Sequence, residues 1–214
     1  MSETQDIEAK YQTPPPPVAP VVIANPGPLG LSGFALTTFV LSLHNAGAGL
    51  DPTSPHGVVT GLAIGYGGLV QLLAGMWEFR TGNTFGATAF SSYGGFWLSF
   101  GMIFIPGFNI IGSYNGDKAI LEHSLGFYLL GWTIFTGILL IASHRSSVGL
   151  VSLFFFLFIT FILLTAGKFN ENLTCQVAGG AFGVITAFIA WYNALAGLLT
   201  KESSYFQLPV GRLN

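Results

Sequence analysis

The sequence predicts an all-α membrane protein of six transmembrane helices packed as a bundle. Three observations carry that prediction. Only 7% of the 214 residues are charged, against about 25% in an ordinary soluble domain, so too few ionic side chains exist to clothe a water-facing surface. Apolar residues make up 51% of the chain, and phenylalanine alone occurs 20 times. The apolar residues fall into blocks of about twenty, each long enough to cross a hydrocarbon core of about 30 Å as a helix. In lipid the backbone must satisfy its own polar groups, and none of the blocks has the strict alternation of a barrel strand, which leaves helices.

Residues 1–24 read as a disordered, proline-rich cytoplasmic tail, with the run Pro14–Pro17 favouring polyproline II. No signal-peptide pattern stands at the N-terminus, because Met1–Lys10 is acidic and prolines follow it. The transmembrane domain is expected over 25–200. Its first span, Leu29–Ala48, follows a helix-start signal: Asn25 caps, and Pro26 fits the first turn, where its missing N–H costs nothing. Gly47 and Gly49 are its terminators. The second span is expected over Gly57–Phe79, with Glu78 near its end, and the third over Thr84–Ile105, stopped by Pro106. The fourth covers Ile120–Ala142, the fifth Val148–Ala166 and the sixth Cys175–Leu199, before a polar cytoplasmic tail at 201–214. Gly61 and Gly65, Gly179 and Gly183, and Ala190 and Ala194 are each four apart, the interval at which small residues let helix backbones approach.

Lys and Arg set the orientation. With the N-terminus inside, Lys10, Arg80, Arg145, Lys201 and Arg212 are cytoplasmic and only Lys118 and Lys168 are outside, which places both termini in the cytoplasm. The sequon Asn172-Leu173-Thr174 then faces outward, very close to the membrane.

No Lys or Arg lies deep in a span, and Glu78 and Glu122 sit near span ends, within reach of the interface. The polar residues inside are neutral. Any one hydroxyl can bond a carbonyl one turn back. The grouping of Thr37, Thr38, Asn45, Ser91, Ser92 and Tyr93 in the first and third spans is too dense for that alone and points to a hydrated path, to whose lining Gln71 and Thr88 are also assigned. Without a buried cation, desolvating an anion there is costly. The cargo is therefore either neutral as it passes, such as a weak acid that binds a proton or a small solute like ammonia or water, or small and passed between hydroxyl and amide donors.

Catalytic and cofactor chemistry find no footing. There is no Walker-type loop, no HExxH and no Cys/His cluster, so no cofactor, no metal and no enzyme activity are expected. No basic patch offers itself to nucleic acid. The one cysteine, Cys175, reads as a small apolar residue at a span start, and His44 as a hydrogen-bonded structural histidine rather than a pH sensor.

The run NPGPLGLSGFALTTFVLSLHNAG from Asn25, with Gln71, the block AGMWEF at 74–79 and GNTFGATAFSSYGGFW at 82–97, resembles the acetate uptake transporters, also called the succinate–acetate permease family. Gly27 departs from the usual NPAP form of a motif to which Asn25, Pro26, Pro28 and Gly30 belong, with Glu78 in the second block. The resemblance implies six spans, a hexamer with a path through each protomer, a multi-pass plasma-membrane location in a fungal member, and passage of acetate and other short monocarboxylates with a proton. Some members are linked to ammonium export, which keeps an ammonia or neutral-solute channel as the alternative. It also implies a narrow constriction of a Phe, a Tyr and a Leu, matched here by Phe34, Tyr93 and Leu157. A non-transporting scaffold is the third class, supported only by the proline-rich tail.

Overall fold

A computed structural model describes residues 21–213, so most of the expected N-terminal tail lies outside the described residues. Six long helices form the fold: α1 (Gly27–Ala46), α2 (Gly57–Thr81), α3 (Thr84–Phe104), α4 (Lys118–Ala142), α5 (Val148–Phe169) and α6 (Leu173–Leu198). Five are long and apolar enough to cross a membrane; α3, 21 residues long, is not among them, since Thr84, Thr88, Ser91, Ser92 and Ser99 dilute its apolar character. The helices pack α1 on α6, α6 on α5, α5 on α4 and α2 on α3, while α1 also meets the middle of α2. Large apolar side chains such as Trp77, Phe127, Ile138, Ile141, Phe155 and Phe188 point outward, as expected of a protein whose solvent is lipid.

Polar residues at the loop ends satisfy the orphan N–H groups of the helix starts. Asn83, Asp117, Ser147 and Asn172 each accept from a backbone N–H three residues on, that of Gly86, Ile120, Leu150 and Cys175 respectively. Asn172 of the sequon thus uses its side-chain oxygen as the cap of α6. Helix α1 differs from its expected start. Pro26 is the N-cap residue and Asn25 Oδ1 instead accepts the Gly27 N–H at 3.0 Å. The stop is as expected, with Gly47 in the left-handed region at φ 69°.

Three further departures matter. Helix α2 is not uniform, because Gly65–Val70 forms a π-helical turn between Gly57–Ile64 and Gln71–Thr81. Among the described residues Gly61 and Gly65 do not pack helices together, since nothing lies within 4 Å of where their side chains would begin. The close approach is made instead by Gly67, over which Thr37 of α1 lies, and by Gly33, which faces the Tyr66 carbonyl. The α6 pair is used as expected, Gly179 against Leu164 and Gly183 against Ser42. Finally, the C-terminal segment is docked rather than trailing. The Gly211 and Val210 carbonyls accept the Val148 and Gly149 N–H groups at 2.7 and 3.0 Å, and Tyr192 Oη donates to the Pro209 carbonyl at 2.6 Å. The segment therefore supplies acceptors for the first turn of α5.

Candidate functional site: two cavities that meet at Phe34

Two cavities open into the bundle from opposite ends. The proximal cavity, beside the start of α1, holds about 170 Å³ and is lined by Asn25, Gln71, Glu78, Asn83, Leu153 and Phe154, among others. The distal cavity, beside the end of α1, holds about 450 Å³, and its wall includes Thr38, Asn45, His56, Lys118, Glu122 and Lys168. Phe34 belongs to both walls, Tyr93 to the proximal one and Leu157 to the distal one.

The meeting point is built from packed aromatic rings. The Phe34 and Tyr93 ring centroids lie 5.6 Å apart, and Phe154 stacks on Tyr93 at 6.4 Å. Phe34, Tyr93 and Leu157 are all buried. The Tyr93 hydroxyl is 2.9 Å from Thr136 Oγ1, which spends its own hydrogen on the Trp132 carbonyl at 2.7 Å. Tyr93 is therefore the donor, and its ring is held by a bond to α4. Thr136 was passed over in the sequence, where it is one hydroxyl among many.

The polar residues divide sharply. Thr38, Asn45 and Gln71 line the cavities. Thr37, Thr88, Ser91 and Ser92 line neither. Thr37 points at α2 and donates to the Gly33 carbonyl at 2.9 Å, Thr88 donates to the Thr84 carbonyl at 2.8 Å, and Ser91 lies against Gly75. One residue of phase on α1 separates a packing threonine from a lining one. Thr38 Oγ1, His56 Nε2, Trp97 Nε1 and both polar atoms of Gln71 are buried with no protein partner, and all face a cavity. Buried groups of this kind need a partner from outside the chain, either water or cargo.

Glu78 corrects an expectation. It does not reach out to the interface but is 3% exposed. Its Oε2 accepts from Asn83 Nδ2 at 2.8 Å and from Thr81 Oγ1 at 3.3 Å, and its other carboxylate oxygen stands close to Gly27. The Asn83 side chain thus caps α3 with its oxygen and holds Glu78 with its nitrogen, a coupling that a GN turn before a helix signals only in part. Elsewhere in the motif, Pro28 packs on Gly197, and Gly30 lies flat under the Phe90 ring, where any side chain would collide.

The distal cavity has the charge. Lys168 Nζ and Glu122 Oε2 pair at 2.7 Å, the one ion pair among the described residues. His44 is not the hydrogen-bonded residue expected: its Nδ1 is buried without a partner and its ring lies 5.4 Å from His56. His56, in the loop before α2, is held below the usual histidine pKa, first by desolvation and then by repulsion from His44 and Lys168.

A family model described as GPR1/FUN34/yaaH matches residues 8–214. The chain belongs to this family. Among its GPR1/FUN34/yaaH relatives, accumulation of dyads protein 2 of Saccharomyces cerevisiae is 55% identical over 91% of this chain and 71% of the relative. Acetate permease A of Emericella nidulans is 54% identical over 87% of this chain and 65% of the relative. The succinate-acetate/proton symporter SatP of Escherichia coli is 36% identical over 88% of this chain and 96% of the relative. A solved structure of the bacterial acetate channel SatP superposes with a TM-score of 0.78 at 35% identity, covering 89% of this chain and 100% of that one. Family and fold agree with what the Asn25 run and the six apolar blocks led one to expect.

Proposed function

We propose that this protein is a plasma-membrane pathway for acetate and other short monocarboxylates, which cross as the protonated acid or together with a proton. The observation that carries the reading is the pair of cavities meeting at Phe34, beside Tyr93 and Leu157, with unpartnered polar groups facing both. Acetate permease A and SatP, two relatives with acetate in their names, support the choice of cargo. An apolar ring between wet cavities slows hydrated ions and passes a small acid that has shed its charge. Nothing in this route calls for an enzyme's chemistry.

The transport domain spans 25–200, with the tails 1–24 and 201–214 cytoplasmic. The Lys/Arg balance supports that orientation, and the packing of Gly197 near the end of α6 on Pro28 at the start of α1 supports a common side for the two helix ends. The proximal cavity is then the cytoplasmic one. Assembly into an oligomer, a hexamer on the family resemblance, is supported by the face of α2 at Gly57, Gly61 and Gly65, which is bare and meets nothing within 4 Å among the described residues.

The test is uptake of labelled acetate in cells lacking other routes. Expression raises saturable uptake above the empty vector, more so in acid medium; equal uptake with and without the protein overturns the reading. A second reading, passage of ammonia, is favoured by two relatives named ammonia transport outward proteins and by the proximal cavity's lack of a cation. Ammonia flux that acetate does not compete for, with no acetate flux, selects it.

A further inference from the structure

The proximal cavity contains one group whose chemistry is more specific than wetness. Gln71 is 0% exposed, the largest fully buried side chain among the described residues, and neither its Nε2 nor its Oε1 has a partner among them. Its position is built. It is the first residue after the π-helical turn, and its Cβ lies against Gly33 of α1, so the carboxamide is held on the cavity wall with Phe34 and Tyr93. A native protein rarely leaves both ends of a buried amide idle.

We infer that Gln71 is the specificity-determining residue that recognises the cargo's carboxyl group in its protonated form. A primary carboxamide offers one donor and one acceptor side by side. A carboxylic acid offers the complementary acceptor and donor, and the two close a ring of two hydrogen bonds. A carboxylate has only acceptors, so it satisfies the amide nitrogen and leaves Oε1 facing negative charge. The surroundings act in the same direction. The titratable groups around this cavity are Glu78, about two turns away on the same helix, and Tyr93 on α3; α1 and α5 contribute none, and no Lys, Arg or His lines it. An anion here meets a carboxylate and no cation. At about 170 Å³ against about 30 Å³ for a water, the space admits a small acid. The inference rests on the transport reading above and assigns the proton to the cargo rather than to a side chain.

The experiment uses the full chain in proteoliposomes, with labelled acetate as the cargo. Acetamide is a neutral isostere that forms the same ring and does not titrate; acetone matches its size but has no donor. Acetamide inhibits acetate flux and acetone does not. In Gln71→Met and Gln71→Leu, inhibition by acetamide weakens by about tenfold or more and the apparent KM for acetic acid rises in step. Inhibition by acetone equal to that by acetamide, or none by acetamide in the unaltered protein, overturns the inference without any variant. So does a Gln71→Met protein that keeps the original acetamide inhibition. Absence of acetate flux in the unaltered protein overturns the transport reading instead.

Discussion

The two cavities differ in size and in charge, and under the proposed transport that difference orders the steps of passage. The distal cavity is the larger, with two lysines, two glutamates and a histidine on its wall. Its environment resembles that of the bulk: an acid there can be ionised and can exchange water. The proximal cavity is smaller, mostly apolar, and holds one buried carboxylate, one idle amide and two asparagines. On the transport proposed above, charged cargo is tolerated in the first and disfavoured in the second, which would put the change of protonation state at the ring between them. The lesson is that discrimination against ions needs no charged filter at a constriction when one side carries fixed charges of both signs and the other a carboxylate without a cation.

Opening the ring is the most severe way to break that distinction. Phe34→Ala merges the cavities, and flux of four- and five-carbon acids rises by roughly tenfold relative to acetate, read from competition assays. An unchanged ranking of acetate over larger acids removes Phe34 from the constriction. The proximal side is sharpened by Asn83→Ala. That change removes the cap of α3 and the strongest donor to Glu78 together, so it lowers stability by about 1–3 kcal/mol, measured as a fall in melting temperature in detergent. A drop no larger than that of Asp117→Ala, which removes a cap alone, shows that the Glu78 bond contributes nothing. The distal side gives the smallest effect. Lys168→Met leaves Glu122 unpaired beside the cargo's entrance and raises the apparent KM for acetate by roughly threefold at low ionic strength, with the difference fading as salt is added. Glu122→Gln moves KM the other way.

How far the sequence reached follows the physics of each feature. Apolar blocks announced the helices, because lipid penalises every exposed polar group along the whole length of a span. The dilution of α3 was visible in its serines and threonines and still read as a span, correctly as to its place in the bundle. Position around a helix was legible only where two elements agreed: Thr38 and Thr37 are neighbours in the chain and face different things, and α2 decides which one packs. Glu78 reads as interfacial from its place near a span end, but its partners come from the turn after α2 and the start of α1, whose positions no local pattern fixes. The same holds for Gly61 and Gly65, whose spacing suits packing although no described residue of another element lies within 4 Å of where their side chains would begin. The docking of Val210 and Gly211 on α5 left no trace in composition.

The widened turn at Gly65–Val70 has one more consequence. Bonding from i to i+5 accommodates an extra residue, so the two halves of α2 are out of angular step by about one residue, roughly 100° of rotation. That offset lets a single rod turn bare glycines outward in its distal half and Gln71 and Glu78 inward in its proximal half. Deleting one residue within the turn restores an ordinary α-helix, yet swings everything on one side of it around the axis. A one-residue change there alters the aim of every side chain beyond it as well as the length of the rod.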